Sequence, residues 1–322
     1  MDRSGIAVAG TIIVDTINNI SRYPDAGELT QITSVSKAVG GCVPNVATDL
    51  RRIDPDMKVW AIGCVGADED GEMVKRMLLS CGADISLVKT VLEKTDYTQV
   101  MSVASGQRTF FTYSGASAMF GAGDIDFRQM NARLLHLGYF LLLKKLDAGD
   151  GVEILKKAKA AGLMTSIDLV SENSDRYKTV LPCLSYTDYL IVNELEASRM
   201  TGMEISERSF PTIAMRLLEL GVREKVIVHF ARGSVCASRG GNVTRLGSYI
   251  LPEGYIKGTT GAGDAFCAGA LYGIYKGLTD RDILEYGTVC AAMSLREQDA
   301  VSGLLDISTA RELCRRYERR NL

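Results

Sequence analysis

Residues 259–277 read TTGAGDAFCAGALYGIYKG. Two glycines flank an alanine, an aspartate follows, and a long apolar run continues from it. Glycines at a helix start leave backbone N–H groups unshielded at the positive end of the helix dipole, an arrangement that binds anions and most often phosphate. Asp264 falls in the first helical turn beside those groups. A carboxylate there can take a proton from a hydroxyl as it attacks phosphorus. The same residues also fit a plain glycine-rich turn with Asp264 complementing the dipole. The stretch is not a Walker P-loop, because G-x-x-x-x-G-K-[ST] is absent.

Working outward, short apolar runs alternate with helical patterns. Strands are predicted at 5–10 (GIAVAG), 58–66 (KVWAIGCVG), 134–140, 164–170, 189–192 and 225–230. Helices are predicted at 44–53, where Val46, Leu50 and Ile53 share a face, at 70–80 with Met73 and Met77, at 151–161 and at 211–220. Strand, helix, strand at this rhythm implies an α/β fold with a parallel sheet covered on both faces. Two segments break the rhythm. Residues 12–39 carry turn signals (Pro24, Gly27) without a helical period, and 98–113 read as a hairpin about Ser105-Gly106. They suit a small β lid on one edge, built from discontinuous segments at about 12–39 and 95–118 within a single domain spanning 1–322. The basic stretch 311–320, RELCRRYERR, reads as a solvated last helix.

Composition excludes several classes. Lys+Arg 37 against Asp+Glu 39 gives a charge of -2, so no bulk cationic field recruits nucleic acid or anionic lipid. No apolar run spans a bilayer and the N-terminus lacks a signal-peptide layout, so no membrane partner and a cytoplasmic location are expected. The eight cysteines are scattered without metal spacing and read as buried free thiols. His136 and His229 lie in apolar strands and read as packed residues.

A second motif stands near the start. Gly40-Gly41 precede Pro44 at a helix start, so Asn45 projects from the first turn beside bare backbone. Such a place can hold a polyhydroxylated ligand, or Asn45 can simply cap the helix. Asn193 and Glu196 form an N-x-x-E pair, which taken alone is a capping-box variant. Arg108, in GQRTFF, is either a solvated strand charge or a reach toward an anionic group on a substrate.

Taken together, the glycine pair with Asn45 and the TTGAGDAFCAGAL run make the chain resemble the PfkB, or ribokinase-like, family of carbohydrate kinases nearly end to end. Asp15, which ends the first strand region at the apolar run TIIVD, the G-x-D-x-x-G turn at 66–71, Asn193 to Glu196, and Ala231-Arg232-Gly233-Ser234 match further landmarks. The resemblance implies a doubly wound, mainly parallel sheet flanked by helices, with a small β-sheet lid. It implies transfer of the γ-phosphoryl of ATP to a hydroxyl of a sugar or polyol. Asp264 would be the general base and the N–H groups of Gly261, Ala262 and Gly263 the anion hole. Asp15, Gly40, Gly41 and Asn45, with Arg108, would face the acceptor. Asn193, Glu196, Arg232, Gly233, Thr259 and Thr260 would face the nucleotide, and Glu196 would support Mg²⁺ largely through water. Two rivals stay open: a nucleoside kinase of the same family, using Phe110, Phe111 or Tyr113 as a stacking aromatic, and a non-catalytic sugar or phosphate sensor. An exposed lid also invites pairing of two lids in a homodimer.

The chain departs from the family pattern in three places. Gly258 replaces the Asp that helps hold a monovalent cation in potassium-activated relatives, so the resemblance does not carry K⁺ dependence over. Ile13 stands where ribokinase-like members often carry Asn, which argues against ribose in particular. The nucleotide loop, His229-Phe230-Ala231-Arg232-Gly233, keeps only the second glycine of L-G-x-x-G.

Overall fold

Strand β1 (Ile6–Gly10) is buried along its whole length, with Ile6 and Val8 facing one layer of helices and Ala7 and Ala9 the other. An unbroken apolar run is what a strand covered on both faces requires. The computed structural model, which describes residues 3–103 and 107–322, places β1 well inside a nine-stranded sheet.

The chain leaves β1 into β2 (Ile13–Ile20) and β3 (Ile32–Gly40), then α1 (Cys42–Ile53), β4 (Val59–Gly66), α2 (Glu69–Ser80) and β5 (Asp84–Val91). Next come β6 (Asp96–Val103), β7 (Arg108–Tyr113), β8 (Leu134–Phe140), α3 (Gly151–Ala160) and β9 (Met164–Leu169). β10 (Tyr189–Asn193), α4 (Glu194–Thr201), α5 (Phe210–Glu219) and β11 (Lys225–Phe230) follow. The chain then forms β12 (Gly233–Ser238), β13 (Val243–Gly247), α6 (Ala262–Tyr275), α7 (Asp280–Ser294) and α8 (Ile307–Cys314).

The large sheet runs β13-β12-β11-β10-β9-β8-β1-β4-β5, parallel except for the antiparallel β12 and β13. Helices α3, α4 and α5 pack on one face; α1, α2, α6, α7 and α8 cover the other. α6 is apolar nearly all round because it lies between α1 and α7, with Leu271 fully enclosed. The smaller sheet, ordered β3-β2-β6-β7, carries the two segments that break the α/β rhythm. The hairpin residues Ser105 and Gly106 fall outside the described residues. Among the described residues, no helix is long and apolar enough to cross a membrane. All eight thiols are free and, apart from Cys81, fully buried.

Two expectations need correction. Asp15 does not close the first strand: β1 ends at Gly10, before the run TIIVD, and Asp15 lies within β2 of the small sheet, paired with Ala38 on β3 and Thr98 on β6. The C-terminal stretch is not a solvated helix either. α8 stops at Cys314, and Arg319 lies against Tyr249, donating to Gly247 O (2.7 Å) and pairing with Glu285 (2.6 Å). Composition marks such arginines as solvent-facing, but the free edge beyond β13 and Glu285 on α7 give Arg319 partners.

Candidate active site

In an open α/β sheet, ligands bind outside the carboxyl ends of the strands where the strand order reverses. Here the order reverses between β1, which the chain leaves toward β4, and β8, to which it returns on the other side. Every side chain with chemistry at that point comes from a strand end or from the start of α1, α4 or α6.

Asp264, the third residue of α6, is buried at the centre. Asn45 Nδ2 donates to its Oδ2 at 2.7 Å, and the Tyr139 hydroxyl donates to both oxygens at 3.0 Å. Burial pushes the carboxyl up to about 7, Asn45 opposes the shift, Asp168 adds to it, and Tyr139 opposes it. A base titrating near neutrality can hold and release a proton at working pH. Gly261 precedes α6 at φ 77°, and Gly263 has only His229 Cε1 within reach of a Cβ, at 3.6 Å. The bare helix start therefore faces open space.

Two cavities meet there. The larger, about 1160 Å³, lies between the small sheet and the large one. Asp15, Gly40, Gly41, Asn45, Arg108 and Thr260 all line it, together with Asp264. Gly41, at φ 90°, lets β3 turn into α1 against the Thr11 carbonyl, where a side chain has no room. Asn45 Oδ1 is buried without a protein partner, an acceptor left for a ligand hydroxyl. Burial raises Asp15, which Thr98 partly offsets by hydrogen bonding. Arg108 Nη1 donates to Thr260 Oγ1 at 3.0 Å, so the lid arginine reaches over to the loop before α6.

The second cavity, about 680 Å³, is more apolar and is lined by Asn193, Phe230, Gly233, Thr259, Gly263 and Phe266 among others. A smaller pocket holding Asn193, Glu196 and Asp264 joins the two. Asn193 and Glu196 do form a capping box on α4: Asn193 Oδ1 accepts from Glu196 N (3.0 Å), and Glu196 Oε2 accepts from Asn193 N (3.0 Å). Glu196 is pushed up to about 8, chiefly by burial. Arg232 is not brought into this cavity; its guanidinium pairs with Glu207 outside, at the tight turn between β11 and β12.

Residues 4–307 match the profile of the pfkB family carbohydrate kinases. The chain belongs to that family. As a pfkB kinase it is a phosphotransferase with an alcohol group as acceptor. The ribokinase of Arabidopsis thaliana is 24% identical over 312 residues, covering 94% of this kinase and 78% of the relative. The ATP-dependent ribose-1-phosphate kinase of Halopiger xanaduensis is 28% identical over 317 residues, covering 96% and 98%. The structure of Arabidopsis thaliana ribokinase complexed with ribose and ATP matches with a TM-score of 0.83 at 22% identity, over 97% of this chain and 99% of that one. The ribokinase of Cryptococcus neoformans var. grubii in complex with ADP gives 0.80 at 21% identity, over 96% and 99%. These likenesses establish the fold of the pfkB kinase, a ribokinase-like sheet with its small second sheet.

Two residues of the pfkB kinase's site, Tyr139 and Asp168, escape the sequence reading. Tyr139 sits at φ 60° at the end of β8, a conformation rare for a residue with a side chain, and its N–H donates to Asp168 Oδ1 at 2.6 Å. That kink aims the phenol at Asp264. The only sequence signal is the Gly138-Tyr139 pair interrupting a largely apolar strand, LLHLGYF. His229, read as a packed residue, is packed on Phe266 (ring centroids 4.8 Å) yet also lines both the connecting pocket and the second cavity. Burial lowers it to about 4, so it faces them as a neutral ring.

Tyr139→Phe removes the two hydrogen bonds that favour the ionised form of Asp264. On the general-base role proposed below for Asp264, the acid limb of kcat/KM, set by a carboxyl pushed up to about 7, is expected to move to higher pH. Activity below neutrality should drop about tenfold, with a smaller change on the alkaline side. A pH–rate profile checks this; an unmoved acid limb would separate Tyr139 from the base.

Proposed function

We propose that this kinase transfers the γ-phosphoryl of ATP to a hydroxyl of a sugar or sugar-like acceptor, with Asp264 as general base. The observation that carries the reading is the position of Asp264: a buried carboxylate at the N-terminal turn of α6, lining both the acceptor-sized cavity under the lid and the pocket leading to the second cavity. ATP occupies the second cavity, its adenosine part against Phe230 and Phe266 and its phosphates toward the bare start of α6. The acceptor lies under the lid, held by Asp15, by the backbone at Gly40 and Gly41, and by the spare Asn45 oxygen. Arg108 reaches the same cavity from the lid.

Asp264 accepts the hydroxyl proton, the oxygen attacks phosphorus, and the N–H groups of Gly261, Ala262 and Gly263 hold the charge on the transferring group. The oxygen donors of Asn193 and Glu196, on the pocket between the cavities, suit hard Mg²⁺ held mostly through water. Bound there, Mg²⁺ supplies neutralisation of phosphate charge. The lid keeps water from competing with the acceptor.

The nucleoside alternative is not favoured, since the sequence relatives named above act on sugars or sugar phosphates. A non-catalytic sensor is disfavoured by the intact base and helix start. The deciding experiment is a phosphoryl-transfer screen with ATP against pentoses, hexoses, ketoses, sugar acids, sugar phosphates and nucleosides, run with and without K⁺. Turnover of at least one sugar-type acceptor is expected. Turnover confined to nucleosides, or none with any acceptor, would overturn the reading.

A further inference from the structure

Behind Asp264, three side chains from three elements converge in the core: Cys42 at the start of α1, His136 on β8 and Asp168 on β9. Their ligand atoms all lie within 4.8 Å of one another, and all three residues are buried. His136 Nε2 is 3.4 Å from Asp168 Oδ2. A tetrahedral ion with bonds of about 2.0–2.1 Å to N and O has an N–O edge of about 3.3 Å, which the observed separation matches. Cys267 Sγ, 3.6 Å from the same nitrogen, stands outside this group.

Three further features favour a cation here. Gly138 clears the space: a Cβ at that position would overlap Cys42 Sγ and stand 2.9 Å from Asp168 Oδ1, so only glycine admits both groups. Ser166 Oγ lies 3.2 Å from His136 Nδ1, which fixes the ring and leaves Nε2 facing the cluster, as the outer partner of a metal-bound histidine does. Two buried carboxyls, Asp168 and Asp264, also stand beside the cluster, and a carboxyl taken out of water calls for a charged or hydrogen-bonding partner.

We propose that Cys42, His136 and Asp168 form a three-ligand binding site for one thiophilic divalent cation of the Zn²⁺ class, with water as the fourth ligand, distinct from the hard-oxygen pocket of Asn193 and Glu196. Binding places the ion against one thiolate, whose proton leaves to solvent, one imidazole nitrogen and one carboxylate oxygen. Asp168 also lines the small pocket beside Asp264, which provides the entry path and the water. Mg²⁺ does not compete, because it takes oxygen ligands and not thiolates.

The test uses the full chain, stripped with a chelator and titrated with Co²⁺ and, separately, with Zn²⁺. One equivalent of Co²⁺ per chain is expected, with thiolate-to-cobalt charge-transfer absorption and the strong ligand-field bands of a four-coordinate site, unchanged by excess Mg²⁺. Cys42→Ser, nearly isosteric, should abolish the charge-transfer band. Ser166→Ala, which leaves all three ligands in place, should weaken Zn²⁺ binding about 10–100-fold in a chelator competition. Substoichiometric Co²⁺, bound Co²⁺ without thiolate absorption, or Co²⁺ displaced by Mg²⁺ would each overturn the proposal. The wild-type spectrum alone decides it, so a variant that fails to fold does not blur the result.

Discussion

Asp264→Asn is expected to lower kcat by about 10²–10⁴-fold while the chain stays folded. The substitution keeps the shape and one of the two accepting oxygens but removes the charge and the site that accepts the hydroxyl proton. A damaged fold would give the same loss, so thermal stability is the companion measurement, and its sign is informative. Asp264 titrates ordinarily at 3.8 and at about 7 in its buried setting. Between those values the folded chain holds a proton that the unfolded chain has lost. Stability contributed by this group therefore falls as pH rises through that window and stays low above it. Removing the charge should leave Tm unchanged near the lower value and raise it above the upper one. An inactive variant with equal or higher Tm above pH 7 fits a base kept at the expense of stability. Nearly unchanged phosphorylation would show that Asp264 is not the base.

Gly261→Ala should damage both stability and turnover. The residue lies at φ 77°, and a Cβ there would stand 2.5 Å from Cα and Cβ of Ala300 and 2.6 Å from its carbonyl oxygen. The left-handed conformation costs a residue with a side chain about 1–2 kcal/mol, and the loop at Ala300 must also move. Because Gly261 precedes the N–H groups proposed to hold the transferring phosphoryl, a shift there is expected to cost about 10²–10³-fold in kcat as well as lowering Tm. Gly263→Ala is the contrasting control. A Cβ there meets only His229 Cε1 at 3.6 Å, and alanine is the better helix former. It should keep or raise Tm while placing a methyl in the phosphate space, so activity falls without loss of stability. Equal, small effects from both substitutions would remove the start of α6 from the reaction.

How far the sequence can be read depends on what each segment buries. β1, β4, β8 and β11 are legible because they are covered on both faces and read as unbroken apolar runs. β5 and β13 are edge strands with mixed burial, and no run marks them. β3 is exposed over most of its length and carries no period at all. The start of α6, proposed to hold the transferring phosphoryl, is legible since its chemistry is local: two glycines flanking an alanine, and an acid, in one turn. Tyr139 and Asp168 are not, because one backbone kink and a contact between neighbouring strand ends place them. Asn45 shows both cases. Its position beside the Gly40-Gly41 turn follows from sequence, while its hydrogen bond to a carboxylate more than two hundred residues away does not.

The small sheet has a consequence for how this kinase can diversify. β3 and β7 are nearly all exposed, and Val35, Phe110 and Phe111 stand in solvent. These strands contribute little to the two buried clusters that hold the large sheet together. Yet Lys37, Ala38, Arg108, Phe110 and Thr112 line the acceptor cavity. Surface substitutions usually change stability by no more than about 0.5 kcal/mol. Mutations here can accumulate without unfolding the chain, and on the proposed reading each one alters the wall against which a sugar is measured. The scaffold that moves phosphoryl groups can stay constant over long evolutionary time while its choice of acceptor drifts on a separate plate.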